Sequence, residues 1–142
     1  MNIIVSYAFL LSVALRVNTL NLTIADIDLM NRAVMSEAGN QNMEVQEAVA
    51  TVILNRVACE DKFPGTVEGV LTQKNQFSMV DNGEPTAEVK YSVAIAVIKF
   101  GTEDQWIPKS CYYFRSNKYH DFGNKYKKIG DLYFSLAENF AE

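Results

Sequence analysis

The chain has 142 residues, of which 49% are hydrophobic and 21% charged, and its formal net charge at neutral pH is -4. This length and composition predict one globular domain with a core of its own, and they exclude a disordered segment. The acidic balance argues against a nucleic-acid-binding protein, because such domains are usually basic.

An apolar run from Ile3 to Leu15 dominates the N-terminus. It has the length of a signal-peptide core and is short for a membrane span, and Ser12-Val13-Ala14 offers the small residues that a signal peptidase requires. No lysine or arginine precedes the run, which leaves a hydrophobic helix packed on the domain as the alternative. We predict an exported or cell-envelope protein with no stable membrane span, in which residues 1–20 are a candidate signal peptide and 21–142 the functional domain.

A first amphipathic helix is predicted to begin after Thr23. Thr23 and Asp26 form the Thr-x-x-acid variant of a capping box. Three apolar residues then share one helical face: Ile27, Met30 and Val34. Gly39-Asn40 is predicted to end the helix with a left-handed cap.

Glu37 is the candidate general acid. It lies about 20° around the helix axis from Met30, on the flank of the apolar stripe. Apolar neighbours desolvate a carboxyl group, and a desolvated carboxyl group holds its proton more readily, as a general acid requires. Four other acids lack such a setting and are predicted to be surface or capping residues: Glu44, Asp81, Glu84 and Glu88. One carboxylate is enough where the substrate supplies its own nucleophile.

Three further helices are predicted downstream. Asn42 is expected to cap a helix that is apolar on nearly all sides from Val45 to Val57 and is therefore central to the domain. Thr66 and Thr86 each begin another helix, the second of which closes at Gly101.

After Gly101 the character of the sequence changes. Cys111 to Phe114 and Leu132 to Ser135 are aromatic runs predicted as edge strands or extended segments. Residues 109–128 contain six basic residues and one acid, so this segment either faces an anionic substrate or is a solvated basic loop. The predicted fold class is mainly α (α+β), with a small β or extended C-terminal part.

The cysteines and the histidine carry no recognisable site. Cys59 and Cys111 lie outside any CxxC motif, and they either form one disulfide in an exported protein or remain free thiols. One histidine and two cysteines argue against zinc, and no glycine-rich phosphate loop is present. We therefore expect neither a metal nor a cofactor.

Several short motifs follow one another along the chain. In chain order they are Glu37-Ala38, Gln46, Ala48-Val49-Ala50, Asn55-Arg56-Val57, Phe63-Pro64-Gly65-Thr66-Val67, Gly69-Val70, Gln76-Phe77-Ser78, Tyr113-Phe114, Ile129-Gly130 and Tyr133-Phe134. Together they resemble the SleB-type cell wall hydrolases, the family of the spore cortex-lytic enzymes. The resemblance extends from Ile24 to Phe140.

The resemblance implies a lysozyme-like helical domain that cleaves the β-1,4 bond between N-acetylmuramic acid and N-acetylglucosamine in peptidoglycan. Glu37 would be the single catalytic residue, first as acid and then as base, while Gln76, Phe77, Ser78 and Tyr113 would contact the substrate. A single carboxylate implies a lytic transglycosylase, in which the muramyl 6-hydroxyl closes a 1,6-anhydro ring; hydrolysis by water stays open. The implied partner is the peptidoglycan glycan strand, bound by a monomer.

One turn departs from the family pattern. After Glu37-Ala38 the family has Arg-Gly-Glu-Pro, whereas this chain has Gly39-Asn40-Gln41-Asn42, so an amide replaces the second acid. This departure keeps an alternative open, namely a non-catalytic peptidoglycan-binding or wall-assembly protein on the same scaffold.

Overall fold

A computed structural model describes residues 6–73, 77 and 83–137, and within these ranges five helices precede a three-stranded sheet. The helices are α1 (Tyr7–Val17), α2 (Ile24–Ala38), α3 (Met43–Ala58), α4 (Val67–Leu71) and α5 (Ala87–Lys99). The strands are β1 (Cys111–Ser116), β2 (Asn124–Ile129) and β3 (Leu132–Leu136). The predicted class, mainly helical with a small β part, is confirmed.

Helix α3 is the centre of the fold, as its sequence predicts. From Val45 to Val57 every residue except Glu47 is buried. Helices α2, α4 and α5 and strand β1 all pack against it. Apolar burial of this kind dominates the stability of a small domain, so truncation of the fully buried Ile53 to alanine is expected to cost about 2–5 kcal/mol.

The helices begin where their polar caps predict. The Asp26 N–H donates to Thr23 Oγ1 at 3.2 Å and the Thr23 N–H to Asp26 Oδ2 at 2.9 Å, which completes the capping box of α2. Asn42, Thr66 and Thr86 each accept a hydrogen bond from the backbone N–H three residues later.

The predicted left-handed cap at the end of α2 is wrong. Gly39 has φ -61°, which is right-handed, and its N–H donates to the Met35 carbonyl. The Gln41 N–H then donates to the Ala38 carbonyl, so a continued right-handed turn reverses the chain. Residues 39–42, called the α2–α3 turn below, therefore need no positive φ.

The sheet is antiparallel, with strand order β1-β3-β2. Strand β3 is central, so the prediction of an edge strand at Leu132 to Ser135 is wrong, while that for Cys111 to Phe114 is confirmed. The lysine-rich β2 was not predicted, because exposed lysines and asparagine give a weak strand signal. Gly130, with φ 56°, and Asp131 form the hairpin turn between β2 and β3.

Helix α1 packs on α5. Ala14 is fully buried, the Tyr7 and Tyr91 rings are 6.4 Å apart, and Asn31 Nδ2 of α2 donates to Tyr7 Oη at 3.4 Å. These contacts are those expected for a hydrophobic N-terminal helix that packs on the domain. Cleavage of residues 1–20 as a signal peptide stays a prediction. No helix in the described part of the chain is long and apolar enough to cross a membrane.

Candidate active site

Glu37 lies in the last turn of α2. The predicted apolar stripe of α2, Ile27, Met30 and Val34, is fully buried, and Glu37 on its flank is half-buried. Ala38, the next residue, is fully buried. The backbone that carries Glu37 is thus anchored in the core while its side chain retains access to solvent.

The buried amide of Gln46 holds this end of α2. Its Nε2 donates to the Gln41 carbonyl at 2.9 Å and to the Ala38 carbonyl at 3.3 Å, which attaches the α2–α3 turn to α3. Its Oε1 accepts from Ser92 Oγ of α5 at 2.9 Å. Gln46, one of the residues of the family resemblance, therefore positions the helix end next to Glu37.

The same amide connects Glu88 to this region. Gln46 Nε2 is 3.0 Å from Glu88 Oε1 and 3.3 Å from the Ala38 oxygen, so these two oxygens are no more than 6.3 Å apart. Glu88, predicted from the sequence to be a surface or capping acid, is indeed exposed in the first turn of α5. The link to Gln46 was missed because the two residues lie 42 positions apart in the chain.

The hairpin turn of the sheet abuts the α2–α3 turn. Gln41 Oε1 accepts a hydrogen bond from the Asp131 N–H at 3.1 Å. A Cβ atom at Gly130 would clash with Val45 Cγ2 and would lie 2.8 Å from Gln41 Oε1, which explains the glycine there. Gln41, which replaces an acid of the family pattern, thus joins the sheet to the end of α2.

A second cluster surrounds Arg56 of α3. Its guanidinium carbon lies 5.0, 5.2 and 5.6 Å from the ring centroids of Phe63, Phe77 and Tyr113, and its Nε donates to the Tyr112 carbonyl at 2.7 Å. Burial lowers the pKa of Arg56 to about 10, against the opposing influence of Tyr113 and Cys111. The three rings, called the aromatic cluster below, cover this charge by cation–π contact.

Two of the four residues that are predicted to contact the substrate lie close together in the structure. Phe77 and Tyr113 meet around Arg56 and are half-buried, whereas Gln76 and Ser78 lie outside the described residues. Gln46 and Arg56 are ten residues apart on α3, about 15 Å along its axis. Helix α3 is therefore the common support for the end of α2 that carries Glu37 and for the aromatic cluster.

Asn55 fastens β1 to the same helix. Its Nδ2 donates to the Pro108 and Cys111 carbonyls, both at 2.9 Å, and its Oδ1 accepts from Gln105 Nε2 at 3.1 Å. Together with the Arg56 bond to Tyr112, these contacts give the Asn55-Arg56 part of the motif a structural role.

The structure also contains a cavity away from Glu37. It has a volume of about 730 Å³ and lies between the C-terminal end of α3 and the loop 100–109, with Cys59, Glu60 and Tyr112 in its wall. Both cysteines are free thiols. Cys111 is fully buried, and burial raises the pKa of its thiol to about 12.

In sequence, the chain is similar to cell wall hydrolases and to spore cortex-lytic enzymes. A family model described as Cell Wall Hydrolase matches residues 40–135, a span that begins just after Glu37. The spore cortex-lytic enzyme of Oceanobacillus iheyensis is 38% identical over 95 residues, which are 63% of this chain and 32% of that protein. That of Bacillus cereus is 37% identical over 95 residues, 63% of this chain and 34% of the relative. The chain thus spans about a third of the length of these relatives.

Solved structures resemble the fold. The catalytic domain of the Bacillus cereus SleB protein superposes with a TM-score of 0.66 at 30% identity and covers 80% of this chain and 91% of its own. The catalytic domain of the germination-specific lytic transglycosylase SleB from Bacillus anthracis has a TM-score of 0.65 at 28% identity, with 80% and 96% covered.

Proposed function

The chain belongs to the cell wall hydrolase family, and on that premise we propose that it cleaves peptidoglycan glycan strands at the β-1,4 bond between N-acetylmuramic acid and N-acetylglucosamine. The observation that carries this proposal is the half-buried Glu37 at the end of α2, on a backbone held by the Gln46 amide. A carboxyl group so held meets the requirement of a general acid for a fixed position near the leaving oxygen.

In the proposed reaction Glu37 donates its proton to the glycosidic oxygen, and the bond from that oxygen to C1 of N-acetylmuramic acid breaks. The muramyl 6-hydroxyl attacks C1 and passes its proton to the Glu37 carboxylate. The products are a strand that ends in 1,6-anhydro-N-acetylmuramic acid and a strand that begins with a free 4-hydroxyl of N-acetylglucosamine. No water is consumed, and Glu37 ends in the protonated state in which it began.

Two neighbouring side chains support a mechanism with one carboxylate. Gln41, at the position of the family's second acid, is an amide whose oxygen is occupied by the Asp131 N–H. Glu88 is exposed and accepts a hydrogen bond from Gln46, an arrangement suited to holding the end of α2. Neither arrangement suits a second carboxylate that attacks C1 or activates water.

The aromatic cluster is the proposed support for the sugar rings. Phe77 and Tyr113 are half-buried, so part of each ring is accessible, and Arg56 fixes both. Apolar ring faces pack well against the C–H faces of sugars. Gln76 and Ser78, the chain neighbours of Phe77, are proposed to contact the same substrate.

The protein is proposed to be exported or bound to the cell envelope and to act as a monomer.

The test is muropeptide release from purified sacculi by the parent chain, by Glu37→Gln and by Glu44→Gln. Glu44 is an exposed acid in the first turn of α3, so its variant loses the same charge without touching the end of α2. We expect Glu37→Gln to fold normally and to lose about 100-fold or more of the release rate, while Glu44→Gln retains it. Undiminished release by Glu37→Gln would overturn the role of Glu37. Sedimentation of the parent with sacculi without new chain ends would instead favour the wall-binding alternative.

A further inference from the structure

One face of the sheet carries basic and tyrosine side chains that the proposed reaction does not use. It is formed by Arg115 of β1, Lys125 and Lys128 of β2, Tyr133 of β3, and Tyr119 from the loop between β1 and β2. These five residues are called the cationic face below. The three basic residues are exposed, and the two tyrosines are half-buried.

The strand register puts these residues on one side of the sheet. Tyr133 of the central strand pairs with Arg115 on one neighbour and with Lys128 on the other. The register of β2 is irregular between Lys125 and Lys127, and Lys125 is placed on this side by its contact with the Tyr119 ring, which lies against Tyr133. Phe134, next to Tyr133 on the strand, is fully buried and points toward the core, so Tyr133 and its strand partners look away from the helices.

Tyrosine rings hold the lysines in place. Lys128 Nζ is 5.3 Å from the Tyr133 ring centroid, and Lys125 Nζ is 5.5 Å from that of Tyr119. The two tyrosine rings contact each other edge to face, with centroids 4.9 Å apart. Cation–π contact restrains side chains that are otherwise mobile, so the charges occupy defined positions.

The positive charge of this face is not used inside the fold. No ion pair joins Arg115, Lys125 or Lys128 to a carboxylate anywhere in the described ranges. The chain as a whole is acidic, yet residues 109–128 carry six basic residues against one acid. Such local charge attracts anions from solution.

Lysines on an edge strand have a second known use, since they discourage pairing with another chain. That use explains Lys125 and Lys128 on β2. It also accounts for Arg115, because β1 is the other edge strand of the sheet, but it does not explain the two tyrosines beneath the lysines. The complete arrangement is better explained by a bound anion with an apolar or sugar body.

We propose that the cationic face binds the carboxylates of peptidoglycan peptide stems and holds the wall against the protein. This inference rests on the proposed function, because stem carboxylates are the anionic groups of that substrate. Arg115 and Lys128 are two strand spacings apart, about 10 Å, so they contact separate carboxylates. The tyrosines between them pack against the uncharged parts of the polymer.

The test is sedimentation with sacculi that have been stripped of phosphate polymers by hydrofluoric acid, in a Glu37→Gln background that leaves the wall intact. The test variant is Lys125→Gln/Lys128→Gln, and the control is Lys90→Gln/Lys127→Gln. The control loses the same charge from lysines that also lie over aromatic rings, Tyr7 for Lys90 and Trp106 for Lys127. Lys127 belongs to the same strand but pairs with Phe134, which puts it on the other face.

We expect the test variant to bind sacculi about tenfold more weakly at low salt, and the control to bind within about twofold of the parent. Lys125→Arg/Lys128→Arg is expected to bind sacculi as the parent does. Amidation of the sacculus carboxylates with a carbodiimide is expected to weaken binding by the parent to the level of the test variant. Equal weakening of test and control, or unchanged binding to amidated sacculi, would overturn the inference. Binding that requires the phosphate polymers would overturn it as well.

A second readout separates this inference from the proposed function. With Glu37 intact, the test variant is expected to cleave short soluble glycan chains as fast as the parent and intact sacculi more slowly. A parent that cleaves neither substrate refutes the proposed function, whereas the sedimentation results still decide the role of the cationic face.

Discussion

Replacement of Gln46 by leucine tests whether a buried amide positions the acid. Leucine has a similar volume and fills the same space, but it cannot bond to the α2–α3 turn or to Glu88. We expect Gln46→Leu to lose stability and also to lose turnover in the folded state. The second effect follows because the backbone beside Glu37 is no longer fixed to α3.

The loss of stability can be derived from the partners of the amide. The Ala38 carbonyl keeps its hydrogen bond from the Gln41 N–H, and Ser92 Oγ keeps its bond to the Glu88 carbonyl. The Gln41 carbonyl and the Glu88 carboxylate each lose the Gln46 bond. At about 1 kcal/mol for the Gln41 carbonyl, and less for the exposed Glu88 carboxylate because water replaces its lost partner, the free energy of unfolding falls by about 1–2 kcal/mol.

Gln105→Leu is the matched control. Gln105 Oε1 accepts from the Gly101 N–H at 2.8 Å, and its Nε2 donates to Asn55 and to the Ile107 carbonyl, away from Glu37. Urea unfolding is expected to show similar losses of stability for both variants. The kcat for sacculi, measured where both are folded, is expected to fall about 10–100-fold only in Gln46→Leu. Equal kcat values in the two variants would refute the positioning role of Gln46.

Three other outcomes follow from the structure. In urea unfolding Gly130→Ala is expected to lower the free energy of unfolding by about 2–3 kcal/mol and Gly101→Ala by about 1 kcal/mol. Both glycines have positive φ, but only a Cβ at Gly130 would meet other atoms, so equal losses would contradict this explanation. In the native protein a thiol reagent is expected to modify the half-buried Cys59 and to reach the buried Cys111 only on unfolding, so simultaneous reaction of both would contradict the packing. Folded Cys111 keeps its proton to a pKa of about 12, whereas the ordinary value is 9.0, so the unfolded chain releases protons first and stability falls as the pH rises above 9.0. The free energy of unfolding falls by at most about 1.4 kcal/mol for each pH unit. Arg56, whose pKa is lowered to about 10, has the opposite effect on stability, and it acts only above that pH. Urea unfolding of Cys111→Ala is expected to show a flatter pH profile than the parent, and an unchanged profile would refute the assignment.

The helical half of the molecule was predictable because its signals are local. Thr23 and Asp26 form their capping box within one turn, and the apolar period of α2 locates Glu37 on the flank of the buried stripe. Helix α3 is so uniformly apolar that its central position follows from composition. The resemblance motifs pointed to the family that the sequence and structure comparisons support.

The remaining features depend on contacts between distant parts of the chain. The Gln46 amide unites α2, α3 and α5, and no local pattern reveals that Glu88 is its partner. Strand β2 was missed because its lysines face solvent and its pairing with β3 supplies the stability that its own sequence lacks. The left-handed cap predicted at Gly39 rests on a statistical preference, and a hydrogen-bonded right-handed turn overrides that preference here.

We propose that Glu37 acts as the single carboxylate of a lytic transglycosylase. The most direct test of this proposal is digestion of sacculi in oxygen-18 water, with mass spectrometry of the released muropeptides. We expect unlabelled 1,6-anhydro ends, one water lighter than the hydrolytic product, and no release by Glu37→Gln. Reducing ends that carry the label, or anhydro ends formed by Glu37→Gln at the parent rate, would contradict it.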